Sequence, residues 1–229
     1  SITVCTGATP VLSSNATGGS GFYTYQWQES PGDCSAPTFV NIPGATGPNY
    51  TTPILTTTTS YRVIITDANS VCSPYTTPCA TVTVVADPNI TVQPMDAIVC
   101  NGGTNTLSVT AIGGTPSLMY QWQISDNDCN GNWTNIAGAT LSSYTTPALT
   151  TTKHYRVIVS ATGLDCNPVT SACATITVVA DPVITTQPLG ATFCSGGTHT
   201  MTVVATFDNN AGPISYQWQI ATVSGGPFT

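Results

Sequence analysis

Nine cysteines stand in this chain of 229 residues, and their spacing is the first sign of chemistry. They fall at Cys5, Cys34, Cys72 and Cys79, then at Cys100, Cys129, Cys166 and Cys173, then at Cys194. Cys100 follows Cys5 by 95 residues and Cys166 follows Cys72 by 94, so the set recurs as a block. Thiols at such density bind metal or pair as disulfides. "CSPYTTPC" and "CNPVTSAC" hold six residues between cysteines, whereas zinc knuckles hold roughly two to four. Four cysteines in each small block therefore predict two disulfides per block and an oxidising, extracellular compartment.

The remaining reactive side chains form no catalytic set. His154 and His199 are the only histidines, and their equivalents one block earlier are Ser60 and Asn105. No Ser-His-Asp group can be assembled within a block. There is no GxSxG elbow, phosphate loop or HExxH helix. The chain is read as a non-enzyme without a cofactor. "SDNDCNGN" places Asp126, Asp128 and Asn130 at alternate positions, as a calcium loop begins. The acid that should close such a loop is replaced by Ala137, and "ESPGDCSAP" in the first block lacks the pattern. These three residues are thus a weak calcium candidate beside a solvated loop. Asp87 and Asp181 recur between blocks and read as caps or turns. Sequons at Asn15, Asn49, Asn89 and Asn132 offer glycan acceptors, although a Thr-rich chain produces such matches by chance.

Composition narrows the class. Apolar residues make up 41% of the chain, enough for cores, yet only 6% are charged, where about 25% is usual. Arg62, Lys153 and Arg156 are the only basic residues, and the net charge is −7. Nucleic-acid binding needs clustered Lys and Arg and is excluded. No run of about 20 apolar residues spans a membrane, and no signal peptide opens the chain.

The elements that carry the cysteines repeat with them. "ATVTVVADPNITVQP" (80–94) matches "ATITVVADPVITTQP" (174–188), and "YQWQ" stands at 25–28, 120–123 and 216–219. A period near 95 residues is too long for a solenoid unit and suits a domain with its own core. "LMYQWQIS", "HYRVIVSA" and "ATITVV" alternate apolar with polar or are β-branched. Turn residues separate them in "NGGT", "GGTP" and "NIAGAT". The prediction is all-β: tandem immunoglobulin-like antiparallel β-sandwiches with disulfides at the strand ends. Domains are expected at 1–86 (lacking a first strand), 87–180 (complete) and 181–229 (the opening part of a third). Such partial ends imply a window on a longer polypeptide, or completion by a neighbouring molecule's strands. Pro88 and Pro182 sit in linkerless junctions, which predicts a semi-rigid rod.

The C-x-G-G turn, "YQW" strand, "NIAGAT" loop, "YRV" strand and final "ATITV" strand resemble the immunoglobulin-like repeats of large secreted surface proteins of Bacteroidota. That resemblance implies export by a type IX system. In an immunoglobulin sandwich a Trp on strand C fills the core, which assigns Trp27, Trp122 and Trp218 as core residues. The Gln residues beside them are expected to face solvent. Tyr61 and Tyr155 take the tyrosine-corner place, their hydroxyls bonding upstream backbone. Val63 and Val157 stand where the usual inter-sheet cysteine would be. Immunoglobulin order favours Cys5–Cys34, Cys72–Cys79, Cys100–Cys129 and Cys166–Cys173, with Cys194 lacking an evident partner.

Function follows as a structural segment of an extracellular surface fibre, filament or adhesin stalk, whose partner is itself. The alternatives are a module binding glycan or a surface protein through Tyr23, Phe39 and Trp133, or an accessory array of a secreted hydrolase.

Overall fold

The computed structural model describes residues 1–69, 74–114, 117–207 and 213–221. Twenty strands and no helix are found among them. The first repeat holds β1 (Ile2–Cys5), β2 (Val11–Ser13), β3 (Tyr23–Pro31), β4 (Val40–Asn41), β5 (Asn49–Thr51), β6 (Thr59–Asp67), β7 (Tyr75–Thr76) and β8 (Ala80–Val85). The second holds β9 (Asn89–Val92), β10 (Ala97–Cys100), β11 (Thr106–Ser108), β12 (Thr110–Ile112), β13 (Leu118–Ser125), β14 (Thr134–Asn135), β15 (Ser143–Thr145), β16 (Lys153–Ala161), β17 (Val169–Thr170) and β18 (Ala174–Val179). A further pair, β19 (Val183–Thr186) and β20 (Val204–Thr206), follows.

The larger sheet of each repeat has the same order, β1-β8-β6-β3-β4 and β10-β18-β16-β13-β14. A thin second layer, β2-β5 or β11-β15, covers it. Most pairs are antiparallel, but β1 runs parallel to β8 and β10 parallel to β18. The fold is therefore an immunoglobulin-like sandwich whose first strand switches onto the last.

The alternation of "YQWQ" decides the core. Trp122 faces Val157 across β13 and β16, and Trp27 faces Val63 across β3 and β6. Trp122 is 0% exposed and Trp27 4%. Each indole donates its Nε1–H to a carbonyl, Gly47 O or Leu141 O, both at 2.9 Å. The ring then stacks toward Tyr50 or Tyr144 of the opposite layer, at 6.1 and 6.2 Å. Those tyrosines meet Tyr61 and Tyr155 at 6.1 and 6.0 Å. A Trp-Tyr-Tyr ladder thus bridges the two layers in each repeat.

Two expectations need correction here. The hydroxyls of Tyr61 and Tyr155 bond no upstream backbone; they are buried without a partner among the described residues. Each ring packs at a tilt on a tyrosine of the facing layer. Trp218, assigned to a core, is 49% exposed. What buries Trp122 is the facing layer, whose Tyr144 packs on the ring and whose side of the core holds Leu107.

Burial pushes the Tyr155 phenol from 10.0 up to about 12, with the nearby Tyr144 and Asp126 adding to it. The folded state thus prefers the neutral phenol. This contribution to stability is complete below pH 10 and is lost as pH rises through 12. Tyr155→Phe removes both the ionisation and the unpartnered hydroxyl. It should leave stability at neutral pH unchanged or higher by about 1 kcal/mol, and it should flatten the alkaline decline, as read by urea unfolding at each pH.

Candidate functional site

The outer face of the large sheet carries two of the chain's three cations, Arg62 and Arg156. Gln28 and Gln123, expected to face solvent, are each only 9% exposed. The reason is that β4 and β14 pair as edge strands beside β3 and β13, so each Gln is closed in by an Asn of the edge strand on one side and an Arg on the other. Gln123 donates to Asn135 Oδ1 at 2.7 Å and accepts from Arg156 Nε at 2.7 Å. Gln28 does the same with Asn41 (2.7 Å) and Arg62 (2.6 Å). The guanidinium of Arg156 lies over Trp133 at 4.4 Å and that of Arg62 over Phe39 at 4.0 Å. Phe39 and Trp133, named above as glycan contacts, are thus stacked beneath arginines. The third cation, Lys153, pairs with Asp126 at 2.7 Å. Gln123→Ala strands Arg156 and Asn135 and should cost about 1–3 kcal/mol, measured by urea unfolding. Gln123→Glu, which keeps the acceptor for Arg156, should cost less.

The weak calcium candidate is otherwise occupied. The Asp126 carboxylate takes the Lys153 ammonium, and Asp128 Oδ1 accepts the Asn130 N–H at 2.8 Å. The oxygens cap their own loop, a turn that an Asx side chain makes readily. The four sequon asparagines, Asn15, Asn49, Asn89 and Asn132, are all exposed.

The junction between the repeats is the most constructed place in the molecule. β8 runs into Ala86, Asp87 and Pro88, and the second repeat grips this segment from two sides. On one side Gly114 donates its N–H to Ala86 O at 2.7 Å. Gly113 and Gly114 have φ of +78° and +57°, and a Cβ on Gly114 would stand 2.8 Å from Pro88 and 2.7 Å from Ala161. Only glycine permits that approach. On the other side Asn167 donates its backbone N–H and its Nδ2 to the two carboxylate oxygens of Asp87, at 2.9 and 3.1 Å. Asp87, read from the sequence as a cap or turn, thus anchors the 162–168 turn of the second repeat beside the junction.

The same turn of the second repeat, residues 162–168, reaches β1. Leu164 forms a parallel bridge with Val4, donating to Thr3 O at 3.2 Å and accepting from Cys5 N at 3.0 Å. Asp165, at φ 57°, bends the chain so that Cys166 follows toward Cys5. The two are joined as a disulfide, with Cα atoms 4.8 Å apart across a sequence separation of 161.

The cysteine pairing expected above is overturned. The disulfides are Cys5–Cys166, Cys34–Cys79 and Cys129–Cys173, while Cys100 and Cys194 are exposed free thiols. Cys72 lies outside the described residues. The physical reason is distance along one strand. Cys100 stands opposite Val179, while Cys129 Sγ lies 3.8 Å from Thr175 Oγ1, four residues back on β18. Four residues of strand span about 13 Å, and a disulfide needs Cα atoms within about 7 Å. Cys166 and Cys173 are held apart by their surroundings: Cys166 lies in the 162–168 turn against β1, whereas Cys173 lies beyond β17, just before β18, and meets Cys129. His154 Nδ1 lies 3.7 Å from Cys129 Sγ. With Cys129 and Cys173 oxidised, that cluster offers no thiolate to a metal.

The profile of a family described as a domain of unknown function, DUF8696, matches residues 1–86 and again residues 90–180. The chain belongs to the DUF8696 family. No curated protein matches it. Among solved structures, the titin I-band fragment I67–I69 is similar with a TM-score of 0.54 at 13% identity, over 90% of this chain and 73% of that one. The three N-terminal domains of the bacteriophage RB49 Highly Immunogenic Outer Capsid protein give 0.52 at 13% identity, over 78% and 67%. Sidekick-1 immunoglobulin domains 1–4 align over 82% of this chain at 17% identity and a TM-score of 0.36. The chain spans 51% of that Sidekick-1 fragment. At these identities the likeness is one of fold: tandem immunoglobulin-like domains.

Several of these DUF8696 features lay hidden in the sequence. Tyr50 and Tyr144, Asn41 and Asn135, and Arg62 and Arg156 each recur at 94 residues. That recurrence is the signal that marks them.

Proposed function

We propose that the chain is a tension-bearing structural segment of an extracellular stalk or fibre, with repeats at 1–86 and 87–180 and a third beginning at 181. The observation that carries this reading is the Cys5–Cys166 disulfide, which joins one repeat to the next within a hydrogen-bonded junction. A ligand-binding pair of domains needs no such cross-link, whereas a stalk that must hold its axis does. Three disulfides fit an oxidising location outside the cell. The likeness to secreted Bacteroidota repeats fits it too and carries type IX export with it. All three cations are engaged within their own repeats, which leaves few sites for trypsin-like proteases. No catalytic set is proposed; the described residues include no helix long and apolar enough to cross a membrane.

Electron microscopy of the native material tests this. Thin straight rods or filaments with a regular domain spacing support it; compact particles with freely hinged domains contradict it.

A second reading has one observation in its favour. A cavity of about 460 Å³ is lined by Asn15, Tyr23, Ile65, Asp67 and Tyr75, and tyrosines beside polar groups suit a sugar face. Its Asp67 is already held by Ser20. Glycan-array binding that is lost on Tyr75→Ala, with the fold intact, would favour that reading.

A further inference from the structure

The junction between the first two repeats has a counterpart one repeat along, and its cysteine is unpaired. β10 ends at Cys100 as β1 ends at Cys5, each parallel to the last strand of its own repeat, at Val179 and Val85. The turns that follow share their hydrogen bonds. Asn101 N donates to Val179 O at 3.0 Å where Thr6 N donates to Val85 O at 2.9 Å. Gly102 N donates to Leu149 O at 2.7 Å where Gly7 N donates to Leu55 O at 2.8 Å. The backbone presenting the two sulfurs is thus the same. What differs is the cover. Val4 and Cys5 are 0% exposed beneath residues 164–166 of the next repeat, whereas Cys100 is exposed.

The space for a cover is present. A cavity of about 410 Å³ opens between Asn101, Val179, Ala180 and Asp181. Asn101, Val179 and Asp181 correspond to Thr6, Val85 and Asp87, and Asp87 is the carboxylate on which Asn167 seats. "VVADP" precedes both junctions.

We infer that Cys100 forms a second interrepeat disulfide with a turn cysteine equivalent to Cys166, the first cysteine of a C-x6-C stretch. Asp181 accepts the residue after that cysteine as Asp87 accepts Asn167. The same rule makes Cys194 the contributor to the next junction. The array is then linked cysteine to cysteine along its length. The turn cysteine is supplied by the following repeat of the same polypeptide. The reaction is oxidative. The Cys100 thiolate attacks the disulfide of a thiol–disulfide oxidoreductase, and the turn thiolate then displaces that enzyme's sulfur. Two protein thiols are oxidised, and the oxidoreductase leaves as the dithiol with both electrons and both protons. This inference stands whether the array is a stalk or a binder.

The test is maleimide blocking of the native, unreduced full-length protein, followed by proteolysis and mass spectrometry. The expected result is loss of maleimide labelling at Cys100, with the "AIVC" peptide linked to a peptide holding the first cysteine of a C-x6-C stretch. Mixing isotopically heavy and light protein before oxidation separates the sources. Unmixed pairs are expected, and heavy–light linked pairs overturn the same-chain source. A Cys100→Ser variant that keeps Cys34–Cys79 and Cys129–Cys173 but loses the linked peptide shows that the fold does not depend on it. Full maleimide labelling of Cys100 in native material, or its linkage to Cys129, overturns the inference.

Discussion

Reduction should lengthen this chain under tension by a large, discrete step. With residues 5 and 166 joined, force applied at the two ends of residues 1–229 passes from Cys5 directly to Cys166. The residues between them are outside the force path, so their unfolding adds no length. At about 3.5 Å per extended residue, full reduction should release roughly 560 Å of hidden contour in single-molecule pulling. Cys5→Ser without reductant should release less. Cys34–Cys79 and Cys129–Cys173 still bridge 45 and 44 residues of that stretch, which leaves roughly 250 Å. Equal extensions for oxidised, reduced and Cys5→Ser protein would show that the force never bypasses the repeats. The same cross-link is worth about 5 kcal/mol by restricting the unfolded chain, in the loop-entropy account.

Trp122→Ala should cost about 3–5 kcal/mol, a large share of what a domain of this size has. The indole is 0% exposed, fills the space between the layers and hydrogen-bonds Leu141 O. Removing it leaves a cavity against Val157 and Tyr144 that the sheets cannot close. Trp218→Ala, at a residue 49% exposed, should cost less than about 1 kcal/mol in this chain. Urea unfolding of the two variants separates them. Similar losses in both would mean that Trp218 is packed as Trp122 is.

These contrasts mark what a sequence can and cannot reveal. The strands of "LMYQWQIS" and "HYRVIVSA" were legible because period-2 alternation is a local property, and the doubling of the motifs made the repeat plain. The side of the strand that looks outward was misread. Gln28 and Gln123 alternate away from Trp, but each is closed in by Asn41 or Asn135 of the edge strand and by Arg62 or Arg156, which comes 34 or 33 residues along the chain. The cysteines failed for a related reason. Six residues between Cys166 and Cys173 look like a hairpin loop, yet Cys166 lies in the turn that meets β1 while Cys173 lies beyond β17, against Cys129. Which sulfurs meet depends on positions along β18 and on the neighbouring repeat, and neither is local. The use of Asp87 beside the junction had one visible trace, its recurrence at Asp181. Composition could not tell a cap from a carboxylate that anchors a distant turn.

The most direct test of the account is peptide mapping of the unreduced native protein at Cys5. The account predicts a linked pair joining the "TVC" peptide of Cys5 to the peptide of Cys166, with Cys34 linked to Cys79 and Cys129 to Cys173. Cys5 linked to Cys34, or Cys166 linked to Cys173, would confine every disulfide to a single repeat. The repeats would then be free to hinge, and the covalent junction at the centre of this account would not exist.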